Sequence, residues 1–398
     1  MSKKPRILIA GAGIGGLTAA LALLQRGFDV EVFEQAEELR ELGAGVQISA
    51  NGTRVLHALG LADESAAIAW EPQGKEIRLW STGQTWKLFD LAAESVKRYG
   101  FPYLMFHRGD LHRVLAAGVA ARQPDAVRLG HRAVGIEQDG GGVSLRFANG
   151  ASAQGDIVVG ADGVHSVVRS ELFGADRPSF TGLIAWRGVI DATKLPAGLL
   201  RPVGTNWVGP HRHVVHYFLR RGELLNFVGI VERSDWQVES WTTKGTHEEC
   251  ASDFTGWHPD IHTLIRHIDV PYKWALMGRE PMQNWVIGRT TLLGDAAHPT
   301  LPFMAQGAQM AMEDGLILAR CLADFSEIEE ALQHYQEARR ERTARVVMAS
   351  ADNATRFHNP ALAQADTAAD FVDREWQPHK VSDRYDWLFT YDAMGVRV

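Results

Sequence analysis

From Arg6 to Glu34 (RILIAGAGIGGLTAALALLQRGFDVEVFE), an apolar run, a glycine turn, an Ala/Leu stretch closed by Gly27 and a second apolar run predict strand, turn, helix and strand. Residues 43 to 60 predict a glycine-rich loop followed by a short helix, and residues 108 to 123 a helix with Asp110 near its start. From about 126 to 160 the rhythm changes to short strands, with turns at Gly140-Gly141-Gly142 and Asn149-Gly150. That is the pattern of a small antiparallel meander, and it runs into the apolar strand of DIVVGADG. Between about 179 and 275, alternating runs such as HVVHYFL and LLNFVGIV, joined by Arg220-Arg221-Gly222-Glu223, predict a separate antiparallel sheet. TTLLGD at 290 to 295 returns to buried-strand character, and GAQMAMEDGLILARCLADF reads as a strongly apolar helix. From about 327 the chain is mostly helical and charged, with a break at Asn359-Pro360 and an aromatic finish at Trp387, Phe389 and Tyr391.

Composition narrows the class. A chain of 398 residues can bury a large core, as two domains or as one with a sizeable insertion. Lys+Arg 41 against Asp+Glu 48 gives a net charge of -7 with no basic stripe, which argues against nucleic acid as a partner. Lys3 and Lys4 before a long apolar run imitate a secretory signal or a membrane span. The glycines and the prompt return to a charged strand speak against both, so the expectation is a cytoplasmic protein without membrane contact, monomeric or homodimeric. Cys250 and Cys321 are too far apart for a redox pair and too few for a disulfide scaffold.

Chemistry enters with the glycine turn. Gly11 permits the tight bend, Gly13 lets the backbone approach a pyrophosphate, Gly16 lets helix and strand pack closely, and Gly15 lies within the same turn. The helix N-terminus offers amides to phosphates, and Glu34 closes the second strand where ribose hydroxyls would be accepted. Two further signals follow far along the chain, GADGVHSVVR at 160 to 169 and GDAAHPTLPFMAQGAQMAMED at 294 to 314. A nicotinamide domain needs only the first, whereas all three fit an extended FAD held along its length.

With those three motifs, over essentially its whole length, the chain resembles the single-component FAD-dependent aromatic hydroxylases built like 4-hydroxybenzoate hydroxylase. Within that group it is similar to the branch of 3-hydroxybenzoate 6-hydroxylase, salicylate hydroxylase and 6-hydroxynicotinate monooxygenase. The resemblance implies an α/β fold: a Rossmann-like FAD-binding domain (1-75, 98-178 and 276-350), an inserted antiparallel-sheet substrate-binding domain (76-97 and 179-275) and a helical C-terminal region (351-398). It implies that Asp295 bonds the ribityl chain and that Asp162 ties the cofactor region to the sheet and supports nicotinamide binding. Arg108 would reach the ribityl and phosphate portion, in keeping with guanidinium–phosphate pairing. Pro299 and the turn Gln306-Gly307-Ala308 would lie by the isoalloxazine, where amides at a helix N-terminus stabilise negative charge. NADH or NADPH would dock transiently, having no Rossmann domain of its own, and O2 would be consumed through a flavin C4a-hydroperoxide.

A phenolate attacks such an oxidant faster than a neutral phenol, so the site needs a proton acceptor. On the strand RHVVHYFL, alternation puts His213, Val215 and Tyr217 on one face and Val214, His216 and Phe218 on the other. His213 can take a phenolic proton at neutral pH, and Tyr217 can orient the substrate hydroxyl or relay that proton. In the resembled branch an RHxxxY pattern at this place lines the ring site. His211, His213 and His216 do not make a metal site, since His216 faces away and no carboxylate or cysteine completes the set. His298 either faces the ring pocket or caps its local turn. Leu301, Phe303 and Ala305 form one wall of the substrate cavity or are plain packing ahead of a helix. Arg187 is either a carboxylate contact or a salt-bridged strand residue, and no cluster of positive groups announces a carboxylate pocket. Gln47 stands where the 6-hydroxynicotinate enzymes carry histidine, which favours a benzoate-type ring over a pyridine; hydroxylation of a bicyclic or heteroaromatic ring such as urate or a quinolone stays open on the same scaffold. Three other classes were open to an FAD scaffold. A disulfide reductase needs the absent cysteine pair, a desaturase or prenyl reductase a lipid cavity with membrane contact. A non-enzymatic partner would use the charged helix from Ile328 to Met348, which a solvated face explains more simply.

Overall fold

The computed structural model describes residues 4–39, 44–175, 178–236, 238 and 243–398. The opening unit forms as its pattern predicts: strand Arg6–Ala10, helix Ile14–Gln25 and strand Asp29–Phe33. Arg6–Ala10 lies inside a six-stranded sheet, paired in parallel with Asp29–Phe33 on one side and Ile157–Gly160 on the other; Thr290–Leu292 extends the sheet beyond. Helices Gly307–Asp324 and Arg108–Arg122 pack on helix Ile14–Gln25, and the meander of Ala133–Asp139, Gly142–Phe147 and Ser152–Gly155 packs on the strands. Ile7, Leu8, Ile9, Val158 and Val159 are thereby fully buried. A strand covered on both faces has no polar side to alternate with, hence its continuous apolar run.

The second sheet has seven strands in the order Tyr272–Gly278, Ser179–Asp191, Leu224–Glu232, Arg212–Leu219, Gly204–Gly209, Gly74–Leu79 and Thr85–Asp90. It is not wholly antiparallel, because Gly204–Gly209 runs parallel to Gly74–Leu79, a strand from an earlier part of the chain. That pairing is long-range and leaves no local signature. Gly74–Leu79 straddles the 75/76 boundary, and helix Ile328–Phe357 runs through the expected break at 350. The expected glycine-rich loop before the 43–60 helix is instead strand Gly45–Ile48, paired antiparallel with Leu104–His107, ahead of helix Ala50–Ala58; residue 43 lies outside the described residues. Four residues are too few to show alternation, so the distant partner decides.

The break at Asn359-Pro360 holds, with the Asn359 side chain accepting from the Ala361 amide at 3.0 Å. Beyond it, Phe371, Trp376 and Val381 pack on Ile77, Leu79 and Val208 of the second sheet, while Leu388 and Phe389 pack beside Tyr103, Met105 and Tyr217. The tail therefore closes over the sheet that carries the predicted ring site. Among the described residues no helix is long and apolar enough to cross a membrane.

Candidate functional site

Two hollows meet between the sheets. The first, ≈ 720 Å³, is lined by Gly11, Gly13, Glu34, Arg108, Asp162 and Asp295 among others. The second, ≈ 350 Å³, is lined by Gly13, Gly15, Asp295, Gly307 and Ala308 at one end and by side chains of the second sheet at the other. Gly13, Arg108, Arg187 and Asp295 belong to both walls, so the two make one elongated groove.

The near end suits a dinucleotide. Gly11 has φ +101°, and a Cβ there would stand 2.4 Å from the Ala161 carbonyl oxygen; one on Gly16 would stand 2.0 Å from that of Gly11. A Cβ on Gly13 would meet no protein atom within 4 Å and would project into the groove, the space a pyrophosphate needs. Glu34 accepts from the amides of Ala12 and Ala36, each at 2.9 Å, which leaves each oxygen a lone pair for ribose hydroxyls. Asp162 lines the groove, and its carboxylate also anchors helix Val167–Phe173, accepting from the Ser166 hydroxyl at 2.5 Å and the Val167 and Val168 amides at 2.8 and 3.2 Å. Asp295 opens onto the groove; desolvation by the surrounding walls pushes its carboxyl up, and the neighbouring Arg108 is the main opposing influence. The first turn of helix Gly307–Asp324 contains no acid, so its unpaired amides present positive potential to the second hollow, where the redox end of a flavin dinucleotide fits.

What pins the Gly-Asp loop is the Glu-Asp pair at the end of the third motif. Asp314 accepts from the Gly294 amide at 3.0 Å, His298 Nε2 at 2.7 Å and Arg339 Nε at 2.6 Å. Burial pushes the Asp314 carboxyl up, but His298 and Arg339 outweigh it and hold it at about 2. Glu313 is paired with Arg339 and Arg342, each at 2.8 Å, and accepts from Asn51 at 2.7 Å. His298 is thus a buried strut of this network and does not face the ring pocket, and Pro299 lines neither hollow. The sequence left His298 open between pocket and cap because its partner lies sixteen residues on, across the fold.

The far end contains His213, Val215 and Tyr217, on one face as alternation requires, with Gln47, Leu301, Phe303 and Ala305 opposite. His216 points the other way and accepts from Trp207 Nε1 at 3.1 Å. His213 and Tyr217, four residues apart on a strand, stand about 13 Å from each other. No proton passes directly between them: Tyr217 is hydrogen-bonded to Gln47, whose Oε1 accepts from the Tyr103 hydroxyl at 2.8 Å. His213 lies against the rings of Phe303 and Phe357, with its Nδ1 2.6 Å from His358 Nε2. Burial, and secondarily His358, holds the His213 imidazole well below the usual histidine range, so it is neutral at pH 7.

Sequence reasoning missed two groups here. Lys75 lines the cavity and donates to the Tyr103 hydroxyl at 2.9 Å, and burial lowers its ammonium to about 7. It supplies a basic group able to meet a carboxylate, which no motif marks. In GKEIRL it looks like one more solvated strand lysine; the pairing of its strand with Gly204–Gly209 and the tail packed over the sheet make it otherwise. His358, from the tail, gave no signal beyond its place before Asn359-Pro360. Arg187 also lines both hollows, its guanidinium 5.1 Å from the Trp274 ring.

Burial lowers His216 to about 3 and His358 to about 4, as it lowers His213. The unfolded chain therefore binds more protons than the native one once pH falls below about 6.5. Stability is present above that value and lost below it, by up to about 2 kcal/mol per histidine near pH 5. The melting temperature should fall steadily from about pH 7 to pH 5. A flat profile would show that these rings are not buried neutral.

An elongated dinucleotide groove that opens onto a cavity walled by aromatic and apolar side chains defines a flavoenzyme acting on a small ring. The chain belongs to the FAD binding domain family, which matches residues 4–350. It is 38% identical over 394 residues to a 3-amino-4-hydroxybenzoate 2-monooxygenase of Streptomyces platensis, covering 99% of this chain and 98% of the relative. It is 38% identical over 389 residues to the 3-hydroxybenzoate 6-hydroxylase of Polaromonas naphthalenivorans (strain CJ2), covering 97% and 96%. Klebsiella pneumoniae HpxO, solved with FAD and uric acid, superposes with a TM-score of 0.82 at 26% identity, covering 97% of this chain and 95% of that one. The protein is an FAD-dependent aromatic-ring monooxygenase.

Proposed function

We propose that the protein hydroxylates the ring of a small phenolic aromatic acid of hydroxybenzoate type, using NADH or NADPH and O2. The observation that carries this reading is the two-ended cavity. One end holds Lys75, whose amine, lowered to about 7 by burial, gains its proton beside an anion, with the hydroxyl of Tyr103 and the amide of Gln47 next to it; the other holds the neutral imidazole of His213. Val215, Val228, Leu301 and Phe303 line the walls between them. A carboxylate is drawn to the ammonium and a phenol to the imidazole, so a phenolic acid satisfies both ends while its ring keeps water off the walls.

FAD, bound in the groove and reduced, supplies the activation of dioxygen. The chain's own residues do the rest. His213 takes the phenolic proton, which raises electron density on the ring carbons. Tyr217, held by Gln47, orients the ring from the far end, and the α-helix beginning at Gly307 presents its amides to the negative charge that develops beside it.

Salicylate, 3-hydroxybenzoate and 4-hydroxybenzoate should be compared with 6-hydroxynicotinate and urate for stimulation of NAD(P)H oxidation. Stimulation by a hydroxybenzoate is expected, and stimulation by the heterocycles alone would overturn the substrate reading. Lys75→Met should weaken binding of the acid roughly ten- to a hundredfold, since a charge-assisted contact is worth about 1.5–3 kcal/mol, while affecting the matching hydroxybenzamide far less. Equal losses for acid and amide would remove Lys75 as the carboxylate anchor.

A further inference from the structure

We propose that His358, Glu232 and His211 carry the substrate's proton out of the cavity to solvent, a role that rests on His213 being the group that first accepts it. The row is continuous. His213 Nδ1 is 2.6 Å from His358 Nε2, His358 Nδ1 is 3.0 Å from Glu232 Oε1, and Glu232 Oε2 is 2.6 Å from His211 Nδ1. Exposure rises along it, from 2% at His213 and at the His358 side chain to 41% at Glu232 and 62% at His211. It starts in the wall of the substrate cavity and ends in water.

The carboxylate also sets the direction. Glu232 can only accept from His358 Nδ1, which must then carry the proton and leave Nε2 bare. A bare His358 Nε2 in turn requires the proton of His213 on Nδ1, so the remaining nitrogen of His213, Nε2, is free to accept. Glu232 thereby orders both rings into the tautomer that a base facing the cavity needs. Phe303 and Phe357 flank His213 and hold no competing partner for its Nδ1. Besides Glu232, the charge that acts on His358 is that of His211, and burial keeps both inner rings neutral at rest.

The backbone is built around the same row. The His211 amide donates to the His358 carbonyl at 3.3 Å and the Glu232 amide donates to the His211 carbonyl at 3.0 Å. His211 itself sits at φ +62° in the turn between strands Gly204–Gly209 and Arg212–Leu219, a left-handed conformation for which histidine is among the better-suited non-glycine residues. The members come from three places, the start of one strand, the end of its neighbour and the tail beyond helix Ile328–Phe357. In transfer, the substrate O–H proton goes to His213 Nε2, the Nδ1 proton of His213 to His358 Nε2, and the Nδ1 proton of His358 to Glu232. From there it leaves to water or His211. The phenolate stays in the cavity, and the reverse transfers restore the row when the product oxygen takes up a proton.

Glu232→Gln separates transfer from mere tying, because a carboxamide oxygen still accepts from His358 but cannot take its proton. In the FAD-loaded enzyme, proton release on mixing with the stimulating hydroxybenzoate, followed with an indicator dye, should slow roughly ten- to a hundredfold in E232Q, with FAD content and melting temperature close to wild type. Unchanged release in a well-folded E232Q overturns the proposal. Nitrogen-15 histidine spectra at neutral pH test the row without any substrate: His213 and His358 should both carry their proton on Nδ1, and an Nε2-protonated ring at either position also overturns it. If no hydroxybenzoate stimulates the wild type, the substrate reading falls; release is then followed with the phenol that does stimulate, and unchanged release in E232Q overturns the relay.

Discussion

His213→Ala is expected to slow ring hydroxylation by roughly a hundred- to ten-thousandfold, the range for loss of a positioned general base, while flavin reduction by NAD(P)H falls much less. The asymmetry follows from where the imidazole stands. It lines the ring end of the cavity, on the second sheet, whereas Gly13, Glu34, Arg108 and the start of the Gly307–Asp324 helix belong to the cofactor groove. Alanine leaves the groove intact and removes the only imidazole in the cavity wall among the described residues. A substrate phenol then has to ionise unaided. Stopped-flow absorbance under anaerobic and then aerobic conditions separates the two half-reactions. Equal losses in both, or in neither, would contradict a base at this position.

Arg339→Met is expected to cost about 3–5 kcal/mol of folding stability, the penalty for leaving buried charges without their partner, and to release FAD at temperatures the wild type survives. Arg339, Glu313 and Asp314 all have side chains with 0% exposure. Arg342 still covers part of Glu313, but Asp314 would keep only His298 and the Gly294 amide. The damage extends beyond the core, since Asp314 holds the loop that sets Asp295 in the groove wall. Urea unfolding with and without added FAD measures both effects. A change below about 1 kcal/mol would show that the triad does not clamp this loop.

Much of the cofactor site was legible in sequence because its determinants are local. A glycine at φ +101°, a helix N-terminus and an acid ending the next strand lie within one supersecondary unit, and the spacing alone implies their geometry. Strand alternation likewise put His213 and Tyr217 together and His216 elsewhere. The ring site was less legible because it is assembled from distant pieces. Lys75 becomes a cavity cation only because Gly74–Leu79 pairs with Gly204–Gly209, and His358 reaches His213 only after a thirty-residue helix returns the chain to the sheet. His298 shows the converse error. A motif can mark a residue as belonging to the site's framework without saying which way its side chain turns, and Asp314 turns His298 inward. Asp162 lines the groove as expected and also accepts from the Ser166 hydroxyl and the amides that open helix Val167–Phe173, a local anchoring role that the motif does not spell out.

The most direct test of the central claim, a flavin groove opening onto a phenolic-acid cavity, is hydroxylation under isotopically heavy O2. Purified protein carrying FAD, given NAD(P)H and the hydroxybenzoate that stimulates it, should yield a product whose added ring oxygen comes from the gas, close to one per nicotinamide oxidised. Colourless protein that will not take up FAD, or a yellow one that oxidises NAD(P)H without placing that oxygen on any phenolic acid, would contradict it.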